Sequence, residues 1–480
     1  MTDKEITRRR FVRDSLVGAA SLVLPGCAGL PSRSASGASS RKPNIIFILA
    51  DDLGWAELGC YGNEFNETPH LDRLARRGMR FTQAYASAPV CSPYRASLMT
   101  CQYPLRVGIT DYLRRNDTNH LRPGQQYTIA EALRDDGYTT GLIGKWHLMG
   151  DYQKRKGDPK LHGFTEVICS ETRYIGGGYY FPPYKHMPQV EPRAPDEYLV
   201  DRVNQEAVAF IERNKDRPFF LYKSHYAVHT RLVGKPRLVE KYSQKPGAGK
   251  SQKSPRNNVH LAAQLQSIDE GVGMIVQKLK KLGLAENTIV IFTSDNGGES
   301  RVTTNAPLRE GKSTLYEGGI RVPLVINWPG RIKPRSVCST PVCVIDFYPT
   351  FCHIVRFIPA PGTCLHGMSI LPLLEDPSAS LVRDTLYWHY PLSKPHFLGG
   401  RSCGAIRKGN WKLLEFFDDG HLELYNLKDD IGEKNNLADK MPRKTKELHQ
   451  LLQQWRVSLK TPVAAQLNRG YSHHWREQET

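Results

Sequence analysis

The chain has 480 residues, 40% of them hydrophobic and 24% charged, which is enough apolar content for a substantial core arranged as one large domain plus a smaller one. Lys and Arg outnumber Asp and Glu by 66 to 48, and the formal net charge of +18 favours polyanionic partners, with a basic surface that merely aids solubility as the competing reading. No zinc-finger spacing or RNA-binding signature accompanies that charge, which sets nucleic acid aside. No stretch beyond the N-terminus is long and apolar enough to span a bilayer, and the ten cysteines include no Cys-x-x-Cys pair of the kind used for zinc or redox exchange.

The first segment reads as an address. Thr7-Arg8-Arg9-Arg10-Phe11-Val12-Arg13 resembles a twin-arginine export signal, with residues 15–24 as its short apolar core. Leu24-Pro25-Gly26-Cys27 resembles a lipobox, which implies a diacylglyceryl anchor on Cys27; signal cleavage nearby without an anchor is the alternative. Together they imply a bacterial protein passed to the twin-arginine export machinery, periplasmic or membrane-anchored as a lipoprotein. Residues 32–41 form a flexible tether, so 1–41 are signal and tether and folding begins near Lys42.

Residues 43–50 are a continuous apolar run, as in a parallel strand covered on both faces, and they end in Asp51-Asp52. Ligands of open α/β sheets sit beyond the carboxyl ends of strands, so these carboxylates are either metal ligands or a helix cap. Residues 68–78 carry a capping start, helical apolar spacing and a glycine stop, giving a helix with His70 on its surface. Cys91-Ser92-Pro93-Tyr94-Arg95 follows a loop, and Ala96 to Thr100 opens a helix. A cysteine just ahead of a helix N-terminus sits where free N–H groups and the helix dipole favour negative charge. A helix over 128–137 and a strand over 139–144 then deliver Lys145-Trp146-His147, where Lys145 and His147, two apart in extended chain, share one side.

Residues 172–187 hold Tyr174, Tyr179, Tyr180, Phe181 and Tyr184 in a loop that is either a stacking platform for sugar rings or is pinned by burial. A buried strand over 218–222 runs into a segment with His225 and His229. Residues 234–256 read as a loop carrying Lys235, Arg237, Lys241, Lys245, Lys250, Lys253 and Arg256, either a solvated face or a subsite for a charged polymer. A helix over 262–282 precedes a strand over 288–294, which repeats the first strand's design: an apolar run, then Asp295-Asn296, then glycines for a tight turn. Asp51, Asp52, Asp295 and Asn296 are all oxygen donors and suit Ca²⁺ or Mg²⁺ better than Zn²⁺. Lys312 precedes a core strand over 322–328, and 340–355 read as strand and helix behind it. From about Asp384 short alternating segments read as a small antiparallel sheet covered by an amphipathic helix over 443–459.

These segments, in this order, resemble the type I sulfatases of the alkaline phosphatase-like superfamily: the Cys-x-Pro-x-Arg core at Cys91 to Arg95, ILADDLGW around Asp51, the TPHLDRLARRG helix, GKWHL around Lys145, the strand-end His229, and Lys312 within REGKSTLYEGG. The resemblance covers about Lys42 to about Leu459. It implies an α/β fold, a large mixed sheet sandwiched by helices (42–383, catalytic) with a smaller C-terminal antiparallel sheet and helix (384–480). It implies conversion of Cys91 to Cα-formylglycine by a formylglycine-generating maturation enzyme, and one calcium ion held by Asp51, Asp52, Asp295 and Asn296 together with the modified Cys91. By the same resemblance Arg95, Lys145 and Lys312 hold the sulfate and the aldehyde hydrate, His229 protonates the departing alcohol, and His147 takes the proton that lets sulfate leave. His389 and His396 have either a pocket or a core role. Tyr94 stands where the family has Ser or Thr, and Cys101 where it has Gly. The activity implied is hydrolysis of a sulfuric ester, and the charge, the basic run and the tyrosine loop point to a sulfated carbohydrate as substrate. Two alternatives stay open: a phosphomonoester or phosphonate hydrolase on the same scaffold, and an inactive lipid-anchored protein that binds sulfated glycans.

Overall fold

The structure, a computed structural model, describes residues 41–460 apart from 116, 176–178 and 361; the twin-arginine motif, Cys27 and the tether up to residue 40 lie outside the described residues. Nine strands form the larger sheet: β1 (Asn44–Ala50), β2 (Met79–Tyr85), β3 (Thr139–Gly144), β4 (Glu166–Ile168), β5 (Phe219–Ser224), β6 (Thr288–Ser294), β7 (Arg321–Asn327), β8 (Ser336–Cys338) and β9 (Val342–Cys343). Their order is β4-β3-β5-β1-β6-β7-β2-β8 with β9 also on β2, and β7 runs against its neighbours. The helices are α1 (Pro69–Arg77), α2 (Cys91–Thr100), α3 (Pro104–Val107), α4 (Ile129–Asp135), α5 (Leu199–Arg213), α6 (Pro236–Ser243), α7 (Val259–Lys281), α8 (Glu317–Ile320), α9 (Phe347–Val355), α10 (Leu371–Glu375) and α11 (Pro442–Ser458). A second, four-stranded antiparallel sheet runs β10 (Thr385–Tyr390), β11 (Cys403–Lys408), β12 (Trp411–Phe416), β13 (Leu422–Asn426), with α11 against β11 and β12.

The unbroken apolar run of β1 has a simple cause. Ile45, Phe47 and Leu49 enter one core with Leu98, Ile129 and Phe351, while Ile46, Ile48 and Ala50 enter the other with Leu71, Phe210 and Ile268. Both faces are covered, and each large side chain so buried contributes about 1.5–3 kcal/mol. α4 starts with a capping box: Glu131 N donates to Thr128 Oγ1 (3.2 Å) and Thr128 N to the Glu131 carboxylate (2.9 Å). The smaller sheet shares the first core through Trp388 and Leu413, and Trp388 Nε1 donates to Ala86 O at 2.7 Å.

Several local expectations change. The Thr68 side chain does not cap α1; Asp269 on α7 does so, accepting from His70 N (3.1 Å) and Leu71 N (2.7 Å). His70 is half-buried rather than on the surface, its ring lying where a side chain on Gly273 would stand. The basic segment is not a loop throughout. Residues 236–243 are helical, and Lys235 pairs with Asp201 and Glu270, Lys241 and Lys245 with Glu67, and Arg237 with Glu270. Only Lys250, Lys253 and Arg256 of that run are exposed without an ion pair among the described residues. In the tyrosine loop Tyr180 and Tyr184 are buried, and the Tyr180 hydroxyl donates to Tyr226 O and His229 O, so these two pin the loop.

Candidate active site

β1 and β6 are adjacent and parallel, with Ala50 beside Ser294. That register sets the two acidic strand ends side by side, and oxygens of Asp51, Asp52 and Asp295 lie within 4.8 Å of one another. Gly297 lets the Asp295-Asn296 turn close on the next loop: its N–H donates to Gly319 O (2.9 Å), and a Cβ there would meet Gly318 O at 1.7 Å. Asn296 Nδ2 donates to Asp52 Oδ1 (2.8 Å), which leaves Asn296 Oδ1 buried without a donor; Asp51 Oδ1 is in the same state, with Arg95 no nearer than 3.5 Å.

Three cations answer the three carboxylates. Lys145 Nζ reaches Asp51 Oδ2 (2.5 Å), Lys312 Nζ reaches Asp52 Oδ2 (2.7 Å), and the Arg95 guanidinium reaches Asp295 Oδ2 (2.7 Å). Burial opposes ionisation of all three acids, but Lys312 and His229 hold Asp52 below the usual carboxylate range and Arg95 holds Asp295 low. The penalty falls on Asp51, which burial and the neighbouring Asp295 charge push well up. The donor set therefore fits a hard divalent cation, which would engage the two orphaned oxygens and relieve the crowding of negative charge. Asp51, Asp52, Asp295 and Asn296 would hold it, and it would supply positive charge for an incoming anion.

Cys91 is the first residue of α2 rather than its preceding neighbour, and it is buried. His147 Nδ1 lies 3.1 Å from its Sγ. The other ring nitrogen faces Leu113 O at 3.0 Å, a pure acceptor, so Nε2 carries the hydrogen and Nδ1 turns a lone pair toward Cys91. Burial and the Lys145 charge push His147 down to about 3, which keeps that lone pair free. Lys145 and His147 do converge, though not through extended chain: His147 has φ +56°, and its N–H and that of Trp146 donate to Glu171 (2.5 and 3.0 Å). Gly144 makes the approach possible, with φ +104° and a Cβ that would meet Ser224 O at 1.9 Å.

Arg95 is fully buried, bonding Asp295, Ser224 Oγ (2.6 Å) and Lys145 O (3.1 Å), so it braces the carboxylates from behind. His229 stands at the rim, its side chain 29% exposed. Its Nδ1–H donates to Thr230 O (2.6 Å), and Nε2 lies 3.7 Å from Asp52 Oδ2; burial and Lys312 lower it to about 3. His225 is buried beside Lys223, and His389 packs on Phe417 (5.1 Å) in the small sheet. His396 does face the site. It is buried, its Nε2 has no partner, and the next turn places Gly400 against Ser313 O, one residue from Lys312. Its ring lies 5.4 Å from Tyr112 and 4.3 Å from Phe397, and Phe397 is 62% exposed.

No sequence motif marks Glu171, Leu113, Ser224 or the Tyr112–Phe397 rim. Glu171 carries no local signal, since the backbone N–H groups of Trp146 and His147 and the Tyr226 hydroxyl that donate to it lie 24 to 55 residues away. The two motif departures fit their places. Tyr94 is core, and Cys101 is the left-handed cap of α2 (φ 58°), the conformation that favours glycine, with its thiol donating to Ile345 O.

A family model described as Sulfatase matches residues 43–355, and another, described as N-sulphoglucosamine sulphohydrolase, C-terminal, matches residues 311–458. Arylsulfatase A of Homo sapiens is 32% identical over 94% of this chain and 93% of its own length. The N-acetylgalactosamine-6-O-sulfatase of Bacteroides thetaiotaomicron is 29% identical over 90% of this chain and 97% of its own. The crystal structure of Ps i-CgsB in complex with k-i-k-neocarrahexaose matches with a TM-score of 0.74 at 30% identity, covering 86% of this chain and 93% of that one. With the strand-end carboxylates, the lysines and the cysteine–histidine pair of its own site in place, the chain belongs to the sulfatase family and is a sulfuric ester hydrolase of the alkaline phosphatase-like fold.

Proposed function

We propose that the protein removes sulfate from a sulfated carbohydrate, using Cys91 matured to Cα-formylglycine and one calcium ion at Asp51, Asp52, Asp295 and Asn296. The observation that carries this is the His147 lone pair aimed at the Cys91 side chain inside a cage shared with Lys145 and Lys312. A formylglycine at residue 91, as its hydrate, would supply one hydroxyl to attack sulfur and a second through which the aldehyde is restored, and calcium held by Asp51, Asp52, Asp295 and Asn296 would supply positive charge.

The chain's own groups do the rest. Lys145 and Lys312 offset the charge on the sulfate oxygens, and Arg95 fixes the carboxylates rather than touching the ester. His229, fixed by Thr230 O through Nδ1–H, presents Nε2 at the rim; the sulfate charge and the Asp52 carboxylate favour its imidazolium, whose Nε2 proton passes to the bridging oxygen and frees the alcohol. His147 Nδ1 accepts a proton at residue 91, which expels the sulfate. Glu171 holds His147 in place. Tyr112 and Phe397 supply flat apolar surface at the mouth, one of the two roles the sequence left open for the tyrosine loop, and the relative named N-acetylgalactosamine-6-O-sulfatase and the one crystallised with k-i-k-neocarrahexaose favour a sugar. The oxygen-only donor set speaks against a two-zinc phosphatase centre. We further propose export through the twin-arginine signal and anchorage through Cys27. Sulfate release from defined sulfated saccharides and from a small aryl sulfate tests the reading: turnover confined to the aryl ester, or to phosphate esters, would remove it.

A further inference from the structure

A large apolar cavity is remote from the chemistry. A groove of about 960 Å³ lies between α1, the second half of α7 and the segment after β7. Thr288, the first residue of β6, lines it, whereas Asp295 follows the last, so the groove and the reaction centre lie roughly 20 Å apart at opposite ends of the sheet. Its wall is aliphatic, with Leu74, Leu279 and Ile332 buried behind it and Met274 37% exposed.

Around this apolar slot stand Arg73, Arg77, Lys280, Arg331 and Lys333, all exposed. None of the five makes an ion pair among the described residues, in contrast to the basic segment 235–245, whose cations are matched. Of the two acids at the groove, Glu270 is taken by Lys235 and Arg237, leaving Glu286. A cationic rim over an aliphatic slot matches a ligand with an anionic head and an apolar body. A sulfated polymer would satisfy the rim and leave the slot unused.

The described chain also begins at this end. Asn287 Nδ2 donates to Lys42 O (3.1 Å), and Asn287 adjoins Glu286 of the groove. A chain tethered to a bilayer through its N-terminal segment would keep this end within reach of the lipid. We infer that the cationic rim holds the headgroup of an anionic phospholipid while the aliphatic slot takes part of its acyl chain, docking the enzyme on the membrane surface independently of any lipid on Cys27.

The full chain carrying Cys27→Ser separates the docking from the anchor. It should cosediment with phosphatidylcholine vesicles containing phosphatidylglycerol and not with phosphatidylcholine alone. Arg73→Glu, Arg77→Glu and Arg331→Glu together should weaken that binding by more than about tenfold. Lys250→Glu, Lys253→Glu and Arg256→Glu, the same change in net charge placed elsewhere, should weaken it less than about threefold, and both triple variants should hydrolyse a small sulfate ester at the parental rate. Equal losses in the two triples would reduce the effect to diffuse charge and overturn the site. So would indifference to phosphatidylglycerol, or a groove variant that loses retention on a sulfated polymer while keeping its vesicle binding.

Discussion

Two clusters of buried charge flank the short stretch from Lys312 to Glu317. On one side Asp51, Asp52 and Asp295 meet Lys145, Lys312 and Arg95; on the other Lys412 sits between Glu317 (3.0 Å) and Glu433 (2.8 Å), while Tyr85 and Arg321 take the other oxygen of Glu317 (2.6 and 3.2 Å). Each cluster loads the cost of burial on one acid: Asp51 in the first, and Glu433, raised to about 7, in the second, against Glu317 held down to about 2 despite its burial by Lys412 and Arg321. They differ in closure. Lys412, Glu317 and Glu433 are wholly inaccessible, and Glu433 also accepts from Glu317 N (2.6 Å), so the set fixes α8 to the small sheet. In the strand-end set Asn296 Oδ1 and Asp51 Oδ1 lack a donor, with Arg95 no nearer to Asp51 Oδ1 than 3.5 Å, and the set opens to solvent at His229; in the closed set the one oxygen without a hydrogen bond, Glu433 Oε1, is inaccessible and has Lys412 Nζ at 2.8 Å. A closed cluster of acids and cations fixes a structural segment; an open one handles a ligand.

Mutations should divide accordingly. Cys91→Ala should lower kcat by at least about 10⁴ with the melting temperature unchanged, since the residue contributes chemistry and little packing. Asp295→Asn should lose bound calcium along with activity in a metal analysis of the purified protein, because Arg95 and the cation both depend on that carboxylate. On the closed side, Lys412→Met should cost about 3–5 kcal/mol in denaturant unfolding by stranding two acids, while the folded fraction keeps its metal content.

How much of the molecule is legible in its sequence depends on range. β1 and β6 and their polar ends can be read directly, because a strand covered on both faces is a continuous apolar run and its polar end is the very next residue in the chain. α5 escapes such a reading although Leu199, Val203, Ala207, Phe210 and Ile211 carry its helical period. Glu171, the left-handed turn at His147, the pairing of Lys235 and the whole Lys412 cluster are out of reach, because each is a contact between distant segments. The basic run misleads for the same reason: its partners Glu67, Asp201 and Glu270 lie elsewhere in the chain.

Smaller effects sharpen the contrast. Glu433 keeps its proton to about pH 7 in the folded protein but only to about 4.5 when unfolded. The native state thus binds more protons in that window, so stability should fall as pH rises from about 4.5 through 7, by at most about 1.4 kcal/mol per unit, and Glu433→Gln should flatten the slope in a pH series of unfolding curves. At the mouth, Phe397→Ala should raise KM for a sulfated oligosaccharide about three- to tenfold and leave a small aryl sulfate unaffected.

The central claim is that residue 91 works as an aldehyde. Mass spectrometry of the Cys91 peptide, across preparations of graded specific activity made with and without the maturation enzyme, tests it most directly. Activity should rise in proportion to the aldehyde fraction and vanish where only thiol is found; full sulfate ester hydrolysis by protein whose Cys91 is entirely thiol would contradict the account.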